Sequence, residues 1–180
     1  MEAYVKISNA MQHAKDESLI LGVNETSPMK EPALVTKRNI DYLCNVKNSN
    51  LQYLYFWNNQ LENNDLENLF KAPWFNQLKA LEVNGNMLTD EFIDALVEKK
   101  HPNLVWLNFA DNQITKEGVF KLIDNAHMLP RLKYINYRKF FYNLVSSSID
   151  DVFQVHFKVK EMLPNIQFEK GEVWRINREK

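Results

Sequence analysis

The chain has 180 residues, 45% of them apolar, and a formal charge of −1 at pH 7. These values suit one folded domain, and the charge gives no long-range reason to expect nucleic acid or an anionic membrane as a partner. No stretch approaches the roughly 20 apolar residues that span a bilayer, and the first residues lack the pattern of a signal peptide. The single cysteine, Cys44, excludes an internal disulfide and favours a reducing, cytoplasmic location.

The first 50 residues are predicted to form an N-terminal cap and an irregular repeat. Leu19, Leu21 and Asn24 have the spacing of the strand and turn positions that recur later in the chain. Because Leu19 lies 35 residues before its equivalent, Leu54, this repeat must hold an insertion, which we place at residues 25–32. Residues 1–15 fit either a capping helix or an edge strand. A helix is expected where apolar residues recur at helical spacing, at Ile40, Leu43, Cys44 and Val46.

From residue 51 onwards one phrase occurs four times. The copies begin at residues 51, 78, 104 and 132, so their starts are 27, 26 and 28 residues apart. The first three match LxxLxLxxNxL, whose positions we number as slots one to eleven. Alternate side chains of a strand face opposite ways, so slots four and six point inward and slots three, five and seven point outward. The Asn of slot nine is expected to satisfy buried backbone groups, at Asn59, Asn86 and Asn112.

A helix is predicted after each of these strands. Thr89 and Thr115 stand before apolar residues at helical spacing and are predicted to be N-caps. The first regular repeat has a shorter helix around residues 66–70, stopped by Pro73. Strand and helix alternating in a period of about 27 residues build a solenoid, with each unit packed on its neighbours.

The phrase resembles the leucine-rich repeat, in its longer ribonuclease-inhibitor-like subclass. The resemblance implies an α/β fold, a leucine-rich-repeat solenoid shaped as a short horseshoe, with parallel strands on the concave face and helices on the convex face. In this family, partners are often gripped by the concave strands and neighbouring loops. The chain is also similar to small repeat effectors of bacterial pathogens, which implies a secreted effector delivered into a host cell.

We expect one domain over residues 1–180, with regular repeats at 51–140 and the final repeat and C-terminal cap at 141–180. The fourth copy has Phe140 in slot nine, as either a plug that seals the core or a protruding aromatic loop. A helix is expected over residues 149–163. Leu163, Ile166 and Phe168 then match the start of the phrase and predict a fifth, truncated strand, and residues 172–180 are expected to close that end.

The outward slots hold the candidate binding residues. They carry large aromatic side chains where exposed positions are ordinarily polar, and Tyr, Trp and Arg are enriched at interface hot spots. Two other interpretations stay open, because the aromatics could pair across strands and stiffen the sheet, or a terminal segment could cover them. The predicted partner-binding residues are Tyr53, Tyr55, Trp57, Glu82, Trp106, Asn108, Tyr134, Asn136 and Arg138.

No pattern in the sequence predicts catalysis, a metal site or a cofactor. The four histidines lack metal-ligand spacing, and His101 and His127 fall near helix ends, where a positive charge is favourable. Cys44 lies on an apolar stripe and is expected to be a small buried hydrophobe. We therefore predict a non-enzymatic, monomeric module that binds a partner protein through the concave face. The alternatives are a scaffold that uses its convex helices or rims, and a reader of single-stranded nucleic acid or peptide.

Overall fold

The computed structural model describes residues 35–45 and 50–137, together with the backbone of three further strands at residues 18–20, 166–169 and 173–176. The strands are β1 (Ser18–Ile20), β2 (Tyr53–Tyr55), β3 (Ala80–Glu82), β4 (Trp106–Asn108), β5 (Tyr134–Asn136), β6 (Ile166–Glu169) and β7 (Val173–Ile176). The α-helices are α1 (Lys37–Asn45), α2 (Asn63–Leu66), α3 (Asp90–Val97) and α4 (Lys116–Asp124). Short 3-10 helices lie at Leu69–Lys71, Phe75–Gln77 and Ala126–Met128.

The first five strands form a parallel sheet in chain order. Their slot-four residues are aligned across the whole sheet: Leu19, Leu54, Leu81, Leu107 and Ile135. In the three regular repeats the slot-four side chains of β2, β3 and β4 and the slot-six side chains just after these strands are buried, and they pack with apolar helix residues in one continuous core. The predicted strand register is therefore confirmed, including that of the irregular first repeat.

The first repeat returns to the common register at Val35. Its backbone N–H donates to Oδ1 of Asn59 at 2.9 Å, as the N–H of Leu61 donates to Oδ1 of Asn86 at 3.0 Å. Val35 therefore occupies slot eleven. It lies 16 residues after Leu19, whereas Leu61 lies only 7 residues after its own slot-four residue, so nine extra residues fall between. The predicted insertion at residues 25–32 is itself outside the described residues.

Helix α1 lies where the apolar stripe predicted it, with Ile40, Leu43 and Cys44 buried; Val46 is outside the described residues. Burial raises the pKa of the Cys44 thiol to about 12, with a further contribution from the negative charge of Asp41. The thiol therefore stays protonated near neutral pH, and since the thiolate is the reactive form, Cys44 acts as a buried hydrophobe.

The slot-nine asparagines form the predicted ladder of hydrogen bonds between repeats. Asn86 is the central member, and its Oδ1 accepts the backbone N–H groups of Asn59 and Leu61, each at 3.0 Å. Its Nδ2 donates to the carbonyl groups of Phe56 and Val83 at 2.7 and 2.8 Å. One buried carboxamide thus satisfies backbone groups of its own repeat and of the preceding one, where the chain turns away from the sheet.

The helices of the second and third regular repeats begin where the sequence predicts, but for a different reason. Thr89 and Thr115 occupy the N-cap positions, yet neither side chain makes the capping hydrogen bond to its own helix. Both bond instead to the preceding repeat. The Nδ2 of Asn63 donates to the Thr89 hydroxyl at 2.7 Å, and the Thr115 hydroxyl donates to Asp90 at 2.5 Å. These contacts tie successive helix starts together.

The C-terminal strands depart from the expected order. A strand does lie at residues 166–169, but it is not the next parallel member of the sheet. Strand β7 pairs antiparallel with β5, and β6 pairs antiparallel with β7 at the edge. Only residues 170–172 connect β6 and β7. So short a connection permits an antiparallel hairpin and excludes the long crossover that a parallel pair requires.

The expectation that His101 carries a positive charge at a helix end is wrong. The side chain is buried, with Phe75 edge-on to the imidazole at a ring distance of 4.9 Å. Its Nε2 lies 2.8 Å from the Leu96 carbonyl oxygen. Burial lowers the pKa of His101, an effect that the Leu96 carbonyl opposes, so the ring is neutral at neutral pH.

Candidate functional site

The outward face consists of the slot-three, slot-five and slot-seven side chains of β2 to β5 and the residues that follow them. Two rows cross the strands in register, Tyr53–Ala80–Trp106–Tyr134 and Tyr55–Glu82–Asn108–Asn136. All five aromatic residues predicted here are half-buried, and none belongs to the core. The face is therefore continuous, but its aromatic groups are less exposed than outward slots lead one to expect. Arg138 lies outside the described residues.

The aromatic side chains form two groups, with β3 between them. In the first group the rings of Tyr55 and Trp57 meet edge to face, with centroids 5.6 Å apart. In the second group the rings of Trp106 and Tyr134 lie 5.4 Å apart on adjacent strands. Ala80, only 6% exposed, lies between Tyr53 on β2 and Trp106 on β4.

Glu82 is the acidic group of this face. Its Oε2 accepts the indole N–H of Trp57 at 2.8 Å, which orients the carboxylate beside the first aromatic group. Burial raises the pKa of the neighbouring Tyr55 hydroxyl, and the negative charge of Glu82 raises it further. Within the described part of the chain, no lysine, arginine or histidine forms an ion pair with Glu82.

Slot five predicts that the Asn108 side chain lies on the surface, but the structure places it beneath the surface. It is 8% exposed. Its Nδ2 donates to Oδ1 of Asn84 at 3.2 Å, and its Oδ1 accepts the Ala110 N–H at 3.2 Å. These bonds make Asn108 the floor between strands β3 and β4. Asn136, in the same row, is half-buried.

The position of the Trp106 side chain has a cost in free energy. Its indole N–H is buried and finds no hydrogen-bond acceptor among the residues that the structure describes. A buried donor without a partner costs about 1–3 kcal/mol. The packing of the ring against Tyr134 offsets part of this cost, because paired aromatic rings are favourable beyond the area they bury.

Residues 35–45 and 50–137 contain no group of three or more His, Cys, Asp or Glu side chains that could hold a metal ion. Within the same ranges, no helix is long and apolar enough to cross a membrane. Among the described residues in slots three, five and seven, the polar groups of the outward face are carboxylate, carboxamide, phenol and indole groups, which bind by hydrogen bonds and charge.

Comparisons with known proteins show which fold this architecture resembles. A family model described as Leucine Rich Repeat matches residues 50–72, which include the first regular copy of the phrase. A solved structure titled "Leiomodin-1 Actin-Binding Site 2 (ABS2)" is similar over 91% of this chain and 86% of that chain, with a TM-score of 0.56 and 13% sequence identity. The fold is a leucine-rich-repeat solenoid. The predicted fold class is thereby confirmed, and the ribonuclease-inhibitor-like subclass stays a prediction. No curated protein gives a significant match.

Three features of the leucine-rich-repeat face were missed in the sequence. Slot eight adopts a left-handed backbone in every regular repeat that the structure describes, at Asn58, Gly85 and Asp111, with φ between 51° and 68°. Asn, Gly and Asp are the residues that tolerate this conformation best, so their shared slot was a usable signal. The Asn84–Asn108 contact and the Trp57–Glu82 contact depend on side-chain directions across strands, which the phrase does not encode.

Proposed function

We propose that this chain is a non-enzymatic protein-interaction module that binds a partner protein through the outward face, its concave side. One observation carries the proposal: five large aromatic side chains share this face and contribute nothing to the core. Such side chains offer large contact areas with a polar atom, and they dominate the energetics of many interfaces. The proposed binding residues are Tyr53, Tyr55, Trp57, Glu82, Trp106, Tyr134, Asn136 and Arg138, with Asn108 beneath them.

Packing within the sheet accounts for only part of this arrangement. The Trp106–Tyr134 contact joins adjacent strands and stiffens the sheet. The Tyr55–Trp57 ring contact, in contrast, joins the last residue of β2 to a residue just after that strand. This ring contact therefore does not connect adjacent strands. This pair is linked to the neighbouring strand β3 by the Trp57–Glu82 hydrogen bond and by no ring contact. Pairing of aromatic rings across strands therefore does not explain the two residues, whereas partner binding does.

The test is capture of protein partners by the wild type and by two separate variants, Trp57→Ala and Trp106→Ala. We expect each variant to lose about thirtyfold in affinity, or roughly 2 kcal/mol, while its melting temperature changes little. Purified actin is one probe, since the similar structure is titled for an actin-binding site. Unchanged capture by both variants would contradict the proposal and favour a scaffold that binds through its helices or rims.

The proposal includes a monomer that works in the cytoplasm, and the resemblance to bacterial repeat effectors supports delivery into a host cell. Sedimentation of the purified protein and fractionation of the producing and host cells test these two parts. Binding that weakens steeply with salt would instead indicate a nucleic-acid reader, because contacts to phosphate groups release counterions.

A further inference from the structure

We propose that the outward face receives a lysine or arginine side chain of the partner protein at Glu82. This inference rests on the proposed function and specifies the chemistry of the partner. It starts from the position of Glu82 in the middle strand of the described face, with Tyr55 on one side and Asn108 on the other.

The Glu82 carboxylate is held in place and only partly satisfied. Trp57 donates its indole N–H to Oε2 at 2.8 Å. The second oxygen, Oε1, has no hydrogen-bond donor among the described residues, and the side chain remains partly accessible. Its neighbour Asn108 makes no hydrogen bond to that oxygen, and its Nδ2 donates instead to Oδ1 of Asn84. The face therefore presents an oriented acceptor with one open position.

No positive group within the described residues neutralises this charge. Lys79, just before β3, is exposed, and it forms no ion pair with Glu82. The exposed Asp111 adds a second negative group after β4. Among the described residues, the end of the face towards which the strands run is thus acidic and complementary to a cation; Arg138, in slot seven of the fourth copy, lies outside them.

Burial of the face by a partner makes that cation necessary. An apolar partner surface over Tyr55 and Trp57 would remove water from the carboxylate beside them, and an unpaired buried charge is strongly unfavourable. A partner ammonium or guanidinium group removes this penalty by pairing with Oε1. The rings of Tyr55 and Trp57 add a cation–π attraction for the same group.

The experiment selects peptides from a random 12-residue phage library on the wild type, and measures the selected peptides by isothermal titration calorimetry. Each is titrated against the wild type, Glu82→Gln and Trp106→Ala. Glu82→Gln is isosteric and keeps an oxygen for the Trp57 N–H, so its melting temperature is expected to match the wild type. In a matched peptide, the basic residue is replaced by norleucine, which keeps the aliphatic chain and removes the charge.

We expect selected peptides to share a lysine or arginine, and Glu82→Gln to bind them about tenfold more weakly. Compared with the selected peptide, the norleucine peptide should bind the wild type more weakly but should bind Glu82→Gln with the same affinity. Peptides that depend on Trp106 but lack a basic residue, or bind Glu82→Gln equally well, would overturn this inference and leave the proposed function standing. Peptides indifferent to Trp106 as well, or no binders at all, would overturn both. A large loss of melting temperature in Glu82→Gln would assign the carboxylate to folding and also overturn the inference.

Discussion

Replacement of Asn86 by Leu is expected to reveal what the asparagine ladder contributes to stability. The change keeps the volume of the side chain and removes every polar contact that it makes. The Leu61 N–H and the Phe56 carbonyl both lose their partner, and both residues are almost completely buried. Each orphaned buried group costs about 1–3 kcal/mol, so we expect a loss of roughly 3–5 kcal/mol in the free energy of unfolding. That is a large share of the ~5–15 kcal/mol typical of a domain.

The matched control is Asn84→Leu, two residues earlier on the outward face. Asn84 is half-buried, and its Oδ1 accepts one hydrogen bond from Asn108 at 3.2 Å. We expect a loss of about 1 kcal/mol, the net contribution of a typical hydrogen bond. Urea melts of both variants, analysed with a common slope, measure the difference. Equal losses for the two variants would refute the assignment of slot nine to the ladder.

Three further outcomes follow from the described residues. Gly85→Ala should destabilise the fold by about 1–2 kcal/mol in urea melts, because φ at this residue is +68° and the new Cβ would lie 1.8 Å from Oδ1 of Asn58. Adding Asn58→Gly should recover the part of this loss that comes from the clash with Asn58, but not the part that comes from the positive φ. Phe109→Ala, at 2% exposure, should cost about 3–5 kcal/mol in thermal melts by opening a core cavity. Since the folded-state pKa of His101 is lowered, stability should fall as pH decreases below about 6.5, where the unfolded chain takes up the proton first. Urea midpoints at pH 7.5 and 5 should show a smaller fall for His101→Gln than for the wild type.

The fold was predictable wherever one interaction repeats with the period of the phrase. Leu19 aligned with Leu54 across a long insertion because the alternation of buried and outward residues fixes the register of a strand. The C-terminal strand was recognised at Ile166, but its partner was not. The pairing depends on the short connection between β6 and β7 and on the edge of β5 with which β7 pairs. The sequence pattern of β6 itself indicates neither.

The candidate site was predictable as a surface but not in its contacts. The outward slots brought Tyr53 and Trp106 to the two sides of Ala80, as the pleat of a sheet requires. Burial of Asn108 was missed because it depends on an amide of the adjacent strand. The neutral state of His101 was missed for a similar reason, since its ring packs under residues of the preceding repeat.

The most direct test of partner binding through the outward face is site-specific photo-crosslinking in cells that contain the protein. A benzophenone amino acid replaces Tyr55 on that face in one sample, and the exposed Glu98 at the end of α3 in the other. We expect a discrete crosslinked protein from position 55, lost on addition of Trp106→Ala, and none from position 98. Crosslinking from position 98 with none from position 55 would contradict the account and assign binding to the helices.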